Sequence, residues 1–200
     1  MRVKICGITR IEDALCAEAA GADAVGLIFA ERSKRRLSLA EAAAISASLG
    51  PFIARIGVFV DVPLEVVEKA VEVAGLNAVQ LHGSEDAAYV AQLRRRIPVI
   101  RAVAVGPDFK AGVWRAFPAD ALLIDGLVPG AGRRFDWSRA LELKGYPRLI
   151  LAGGLTAATV KEGIKTLNPY AVDVASGVES SPGIKDARKI QEFVRAARSL

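Results

Sequence analysis

Ala121-Leu122-Leu123-Ile124 is an uninterrupted apolar run that ends at Asp125. A strand exposed on one face alternates apolar and polar residues, whereas a strand of a parallel sheet is buried on both faces and is apolar throughout. The run therefore predicts a central strand of a parallel sheet that is covered by helices. Asp125 then lies where the strand ends and its loop begins.

The same pattern recurs along the whole chain, because short apolar runs alternate with segments that have apolar residues at three- and four-residue spacing. Strands are predicted over residues 3–8, 24–29, 54–60, 78–82, 99–105, 121–125, 148–152 and 171–175. Helices are predicted over residues 11–20, 39–49, 64–74, 86–96, 109–117, 137–144, 157–167 and 186–199.

Eight such units place the chain in the α/β class, with about 25 residues per unit. Two architectures remain open, a closed (β/α)8 TIM barrel and an open doubly wound sheet. The barrel is favoured by the count of eight and by the lack of an amphipathic edge-strand pattern. We expect a single barrel domain over residues 1–200, because no linker divides the sequence.

Composition restricts the class of protein. A chain of 200 residues with 52% hydrophobic residues can bury a large core. No apolar stretch is long enough to span a bilayer, and residues 1–5 enter a strand without a signal-peptide pattern, so we expect a cytoplasmic protein without membrane contact. The net charge of +5 suits either nucleic acid or a small anionic substrate. The scarcity of Asn, Gln, Met and Cys suggests a heat-adapted source.

Polar residues collect at the predicted strand ends, where (β/α)8 barrels carry their function. Cys6 ends the first strand, and in a cytosolic protein with two cysteines it is placed to act as a base or nucleophile. A buried core thiol is the alternative, and it is the interpretation for Cys16 on the first helix. The other residues expected at this mouth are those of the loop 31–36, Gln80, His82, Arg101, Asp125, Gly153, Gly154, Asp173, Ser176 and Gly177.

The pairs Gly153-Gly154 and Ser176-Gly177 follow the seventh and eighth strands, where barrels often bind phosphate through backbone N–H groups. Either pair alone could simply turn the chain after a strand. The two together favour a phosphate site.

Asp125 precedes a glycine-rich loop over residues 129–137. An acidic residue beneath such a loop suggests a proton donor that the loop covers. A strand-end Asp can also merely cap the following turn. Together with Cys6, however, it provides a carboxylic acid and a thiolate that could protonate an oxygen and remove a proton from carbon. Such chemistry is an isomerisation, and it needs no metal or redox cofactor.

The chain resembles the phosphoribosylanthranilate isomerase family over essentially its whole length. Each matching stretch is short, and their specificity comes from the ordered set. The stretches are KICGIT at 4–9, GLIF at 26–29, SKR at 33–35, GVFV at 57–60, VQLHG at 79–83, LID at 123–125, the loop 130–137, LAGGL at 151–155, DVASGVE at 173–179 and PGIKD at 182–186.

The resemblance implies an isomerase of tryptophan biosynthesis that converts N-(5-phosphoribosyl)anthranilate to 1-(2-carboxyphenylamino)-1-deoxyribulose 5-phosphate by an Amadori rearrangement. It implies Cys6 as general base, Asp125 as general acid and Arg35 as the cation for the anthranilate carboxylate. Lys34 stands where the family usually has proline, so Arg36 is an alternative to Arg35. Further substrate-binding residues on this interpretation are Gln80, His82, Gly153, Gly154, Asp173, Ser176 and Gly177.

For His82 two alternative roles remain open: it orients its neighbours or it contacts the substrate. No cofactor is implied, the partner is a small phosphorylated molecule, and we expect a homodimer because some members of the family are dimers.

Two other functions are suggested by parts of the sequence. A basic RNA-binding protein is suggested by the clusters at 32–36, 94–96 and 133–134, but these lack the interleaved aromatic residues that stack on bases. A hydrolase using Cys6 and His82 is conceivable, but no oxyanion-hole motif supports it. We therefore expect no nucleic-acid partner.

Overall fold

The computed structural model describes residues 1–127 and 134–199. Eight parallel strands follow one another in chain order around a closed barrel, and β1 pairs with β8 to close it. The predicted (β/α)8 barrel is therefore confirmed. The strands are β1 Arg2–Cys6, β2 Ala24–Ile28, β3 Ala54–Phe59, β4 Ala78–Leu81, β5 Val99–Ala104, β6 Ala121–Asp125, β7 Leu149–Leu151 and β8 Ala171–Val174.

Helices connect the strands, and four of them differ from the prediction in type or by two or more residues. The helix after β4 ends at Leu93 instead of residue 96, and the helix after β5 covers Ala111–Arg115 instead of 109–117. The segment after β6 is a 3-10 helix, Trp137–Leu143, and the helix after β7 begins at Val160 because Thr156 to Thr159 form a turn in which the Thr156 N–H donates to the Thr159 hydroxyl. The α-helices are α1 Ile11–Ala19, α2 Leu39–Ser48, α3 Leu64–Ala74, α4 Ala87–Leu93, α5 Ala111–Arg115, α6 Val160–Leu167 and α7 Ala187–Arg198.

A short hairpin between β8 and α7 was not predicted from the sequence. It consists of β9 Glu179–Ser181 and β10 Ile184–Lys185, and it follows a 3-10 helix at Ser176–Val178. Its strands have two or three residues and no apolar alternation, so the only local signal was the turn at Gly183, which has a φ of 85°.

Two apolar layers hold the barrel together. Small and branched side chains fill its interior, and a larger cluster packs between the strands and the helices. At the carboxyl ends of the strands, polar side chains replace the apolar ones in the barrel interior. The buried interior residues are Ala24, Ile56, Ile100, Ala102, Ala121, Leu123, Ile150, Ala152 and Ala171.

Arg101 does not reach the mouth at which the sequence placed it. Its neighbours Ile100 and Ala102 face the barrel interior, so Arg101 projects towards the helices. There it donates to Glu85 Oε2 at 2.5 Å and to the Gly83 carbonyl at 2.6 Å.

Glu85 is itself buried and accepts from the N–H groups of Asp61 and Gly83, at 2.9 Å and 2.9 Å. The Arg101–Glu85 pair therefore joins the loops after β3 and β4 to β5.

We predict that Glu85→Ala destabilises the fold by about 3 kcal/mol, because it leaves Arg101 buried without its counter-ion. Urea unfolding monitored by circular dichroism measures this. The control is Glu68→Ala, which breaks a more exposed pair with Arg96 at 3.1 Å and should cost less than about 1 kcal/mol. Equal small losses in the two variants would contradict the structural role of the buried pair.

The glycine-rich loop predicted over 129–137 lies mostly outside the described residues, which resume at Arg134. Within the described ranges, no helix is long and apolar enough to cross a membrane.

Candidate active site

Cys6 ends β1 with its side chain turned into the barrel mouth. Lys4 and Cys6 share the interior face of β1, while Val3 and Ile5 pack on the outer layer. Gly26 lies opposite Cys6 on β2, and a Cβ there would be 2.6 Å from the Cys6 sulfur. The absence of a side chain at Gly26 therefore makes room for the thiol.

Lys4 is a buried cation beneath that thiol. Its Nζ donates to Asp173 Oδ1 and to Gln80 Oε1, both at 3.0 Å. Burial acts to lower the pKa of Lys4, but the attraction of Asp173 and Cys6 outweighs it, so that the pKa lies above its ordinary value. Lys4 therefore carries a positive charge inside the barrel, a feature that the sequence analysis missed. An interior-facing lysine two residues before a strand-end cysteine is the signal that could have revealed it.

Burial raises the pKa of the Cys6 thiol above its ordinary value, and Lys4 and Lys185 only partly counter this. Lys185 approaches closely, since its Nζ donates to the Cys6 carbonyl at 2.6 Å. The thiol is thus the main form of Cys6 at neutral pH, and the ammonium groups of Lys4 and Lys185 stabilise the thiolate when it forms.

Asp125 ends β6 as a carboxyl group that ionises late. Burial raises the pKa of Asp125 to about 6, with a hydrogen bond from the Gly126 N–H at 2.6 Å and the charge of Lys4 opposing the shift and the charge of Asp173 adding to it. Gly153 lies against this carboxyl group, since a Cβ on it would be 2.8 Å from Asp125 Oδ1. Asp125 is therefore partly protonated near neutral pH.

Arg35 lies beside Cys6, with its side chain over Gly7, whose φ of 72° and lack of a side chain leave room for it. Its Nε and Nη2 donate to the two carboxylate oxygens of Glu179 at 2.7 Å each. Arg36 is exposed to solvent, so Arg35 is the arginine of this loop that the fold directs to the mouth. Its ion partner is Glu179, which leaves Asp125 free to keep its raised pKa.

Glu179 and Lys185 connect three loops of the mouth. Lys185 Nζ donates to Glu179 Oε1 at 2.9 Å and to the Ala175 carbonyl at 3.1 Å, besides the carbonyl of Cys6. Both residues lie in stretches that match the family, but their sequence positions alone indicated no role for them. The hairpin β9–β10 thus holds Arg35 against the ends of β1 and β8.

The two glycine-containing loops lie next to each other. Gly177 packs directly on the carbonyl of Leu155, which follows Gly153 and Gly154. Within residues 1–127 and 134–199, the N–H groups of Gly154, Ser176 and Gly177 donate no hydrogen bond to another residue. Backbone donors of both loops are therefore left for a ligand.

The remaining predicted residues lie at two depths inside the barrel. Gln80 and Asp173 are 1% and 7% exposed and lie beneath the mouth, where both bind Lys4. His82 is at the end of β4, nearer the opening, and its Nε2 is 2.6 Å from Gln80 Nε2. In the described part of the chain, no group of three or more His, Cys, Asp or Glu residues is placed to hold a metal ion.

A closed (β/α)8 barrel with a protonatable carboxyl group, a thiol and an arginine at one mouth defines a barrel enzyme suited to proton transfer. The family model described as N-(5'-phosphoribosyl)anthranilate (PRA) isomerase matches residues 3–196. The chain belongs to this family of isomerases, which confirms the resemblance found in the sequence.

Relatives and solved structures agree with this. N-(5'-phosphoribosyl)anthranilate isomerase of Pelobacter propionicus is 45% identical, over 99% of this chain and 96% of its own length. A crystal structure of phosphoribosyl anthranilate isomerase in complex with reduced 1-(o-carboxyphenylamino)-1-deoxyribulose 5-phosphate is 41% identical over 100% of both chains, with a TM-score of 0.92. A structure of monomers generated from the dimeric enzyme of Thermotoga maritima is 40% identical over 100% of both chains, also with a TM-score of 0.92.

We predict that Asp125→Asn stabilises the fold above pH 6. The folded pKa of Asp125, about 6, exceeds its ordinary value of 3.8, so the stability it provides is complete below pH 3.8 and is lost as the pH rises through 6. Asn removes that loss, which amounts to about 3 kcal/mol. Urea unfolding of both proteins at pH 4 and pH 8 should show the difference at pH 8 only. A difference independent of pH would contradict the raised pKa.

Proposed function

We propose that the chain, as a single barrel domain, converts N-(5-phosphoribosyl)anthranilate to 1-(2-carboxyphenylamino)-1-deoxyribulose 5-phosphate in tryptophan biosynthesis. The observation that carries the proposal is the pair at the mouth. Asp125 has a pKa of about 6 and Cys6 is flanked by the ammonium groups of Lys4 and Lys185, in a chain of the isomerase family.

Asp125 acts as the general acid. Its proton passes to the furanose ring oxygen while the bond from that oxygen to C1 breaks, and the nitrogen lone pair forms an iminium. The Cys6 thiolate then removes the proton from C2 and gives an enolamine, which tautomerises to the ketone. Burial favours the first step because it keeps the carboxyl group protonated.

The two anionic ends of the substrate bind at separate places. The Arg35 guanidinium has five N–H donors, and Glu179 accepts from two of them, so donors remain for the anthranilate carboxylate. The N–H groups of Gly154, Ser176 and Gly177 bind the phosphate, with Gly153 allowing close approach. Glu179 fixes the guanidinium before the substrate arrives.

We predict that Cys6→Ser and Asp125→Asn each lower kcat at least about a hundredfold, because each removes one proton-transfer group. The loss of anthranilate fluorescence on adding enzyme to freshly generated phosphoribosylanthranilate measures turnover. Cys16→Ser is the matched control, since Cys16 lies on α1. Near-normal kcat in either mouth variant, with Cys16→Ser also active, would remove that residue from the mechanism.

We predict a specific pH profile for the same pair. The active form has Asp125 protonated and Cys6 ionised, although Asp125 has the lower pKa. The population of that form is constant between pH 6 and the raised thiol pKa, so kcat/KM should be flat there and should fall below about pH 6.

In Asp125→Asn the break near pH 6 should vanish, and the residual rate should rise with pH until the thiol ionises. A break near pH 6 that persists in Asp125→Asn would contradict the assignment.

The structure also bears on what the protein binds and where in the cell it acts. The substrate is a small phosphorylated molecule rather than nucleic acid, because three arginines of the basic clusters are already paired with carboxylates: Arg35 with Glu179, Arg94 with Asp120, and Arg96 with Glu68. We propose a cytoplasmic location, which is supported by the free thiols of Cys6 and Cys16, since disulfides are rare in that compartment.

We propose a homodimer, supported by the dimeric relative and by Phe52, which is 98% exposed beside Pro51 in the loop before β3. Large aromatic side chains are among the residues that contribute most to binding at protein interfaces. Phe52→Asp should then give one-chain mass in light scattering where the parent gives two. A one-chain mass for the parent would contradict the dimer.

A further inference from the structure

His82 is the one histidine of the chain, and its hydrogen-bonding pattern can be worked out from its neighbours. It follows β4 on the interior face, two residues after Gln80, and the Nε2 atoms of the two side chains are 2.6 Å apart. A neutral imidazole carries its proton on either nitrogen, so this distance alone does not say which.

Lys4 determines the orientation of Gln80. An ammonium group only donates, so the Gln80 atom 3.0 Å from Lys4 Nζ is the amide oxygen. The amide nitrogen therefore faces His82, and it too can only donate. His82 Nε2 must accept this bond, which leaves the ring proton on Nδ1.

The same neighbours keep the ring neutral. Burial, together with the positive charges of Lys4 and Arg101, lowers the pKa of His82 to about 4. Asp173 binds Lys4 at 3.0 Å and keeps it charged. The order Asp173, Lys4, Gln80, His82 is thus a single chain of hydrogen bonds in which every donor and acceptor role is fixed.

The Nδ1–H group ends this chain of hydrogen bonds. Within residues 1–127 and 134–199, no hydrogen bond involves His82 Nδ1. The fully buried side-chain atoms without a partner in those ranges are Ser46 Oγ, Arg101 Nε and Trp137 Nε1, so Nδ1 is at least partly accessible. It lies on the side of the ring turned away from Gln80. A donor is therefore held in one orientation and is accessible to a ligand.

We propose that His82 is a neutral Nδ1–H donor that binds a hydroxyl oxygen of the substrate's sugar. This rests on the proposed function, in which Arg35 binds the carboxylate and the two loops bind the phosphate. Both anions already have donors of their own, so the neutral hydroxyl groups of the sugar, which lie between the anions in the substrate, are the acceptors left for His82. His82 then contributes to binding and not to proton transfer.

The first test is the tautomer itself, which needs no substrate. In the 15N-labelled protein, long-range 1H–15N correlations of the single histidine should show Nδ1 protonated and Nε2 unprotonated at pH 7. Gln80→Met removes the donor to Nε2 and keeps the Lys4–Asp173 pair, so a population with Nε2 protonated should appear. A parent protein with its proton on Nε2 would overturn the proposal.

The second test is kinetic. The carboxamide nitrogen of His82→Asn can take the place of Nδ1, whereas that of His82→Gln takes the place of Nε2. We expect His82→Gln to raise KM about tenfold with kcat within about threefold, and His82→Asn to keep KM within about threefold of the parent. Equal KM values in the two variants would overturn the donor role. No turnover by the folded parent would instead count against the isomerase function, and the tautomer result would stand apart from it.

Discussion

The buried ammonium group of Lys4 is the interaction on which the mouth of the barrel depends. A charge inside a protein is costly unless it is paired and hydrogen-bonded, and here Asp173 and Gln80 both accept from it at 3.0 Å. The same charge favours the Cys6 thiolate, orients Gln80 and adds to the effect of burial that lowers the pKa of His82. Three features of the site therefore follow from one lysine that never reaches the solvent.

Burial has opposite consequences for the two proposed proton-transfer groups. It raises the pKa of both, which suits an acid such as Asp125 and works against a base such as Cys6. Two ammonium groups, those of Lys4 and Lys185, oppose the raised pKa of the thiol, whereas Lys4 alone opposes the raised pKa of Asp125 and Arg35 is paired with Glu179. The arrangement of cations thus separates the roles of two groups that share one dry pocket.

The fold could be predicted because its signals are local. The apolar run before Asp125 and its seven counterparts specify parallel strands, and the strand ends then point to Cys6, Asp125 and the two glycine-containing loops. Arg101 shows the limit of that inference. Side chains alternate between the two faces of a strand, and Ile100 and Ala102 face the interior of the barrel. Arg101 therefore faces the helices, where it binds Glu85.

The residues that the sequence did not reveal act through contacts distant in the chain. Lys4 meets Asp173 across the β1–β8 closure, and Glu179 reaches Arg35 from a hairpin too short and too polar to be recognised. Such pairings depend on the closed barrel and have no local pattern.

The most direct measurement is the pH titration of the Asp125 carboxyl carbon by 13C NMR, with the signal assigned by its absence in Asp125→Asn. A midpoint at about pH 6 is expected for a carboxyl group that burial keeps protonated for use as the general acid. A midpoint near the ordinary value of 3.8 would contradict that role.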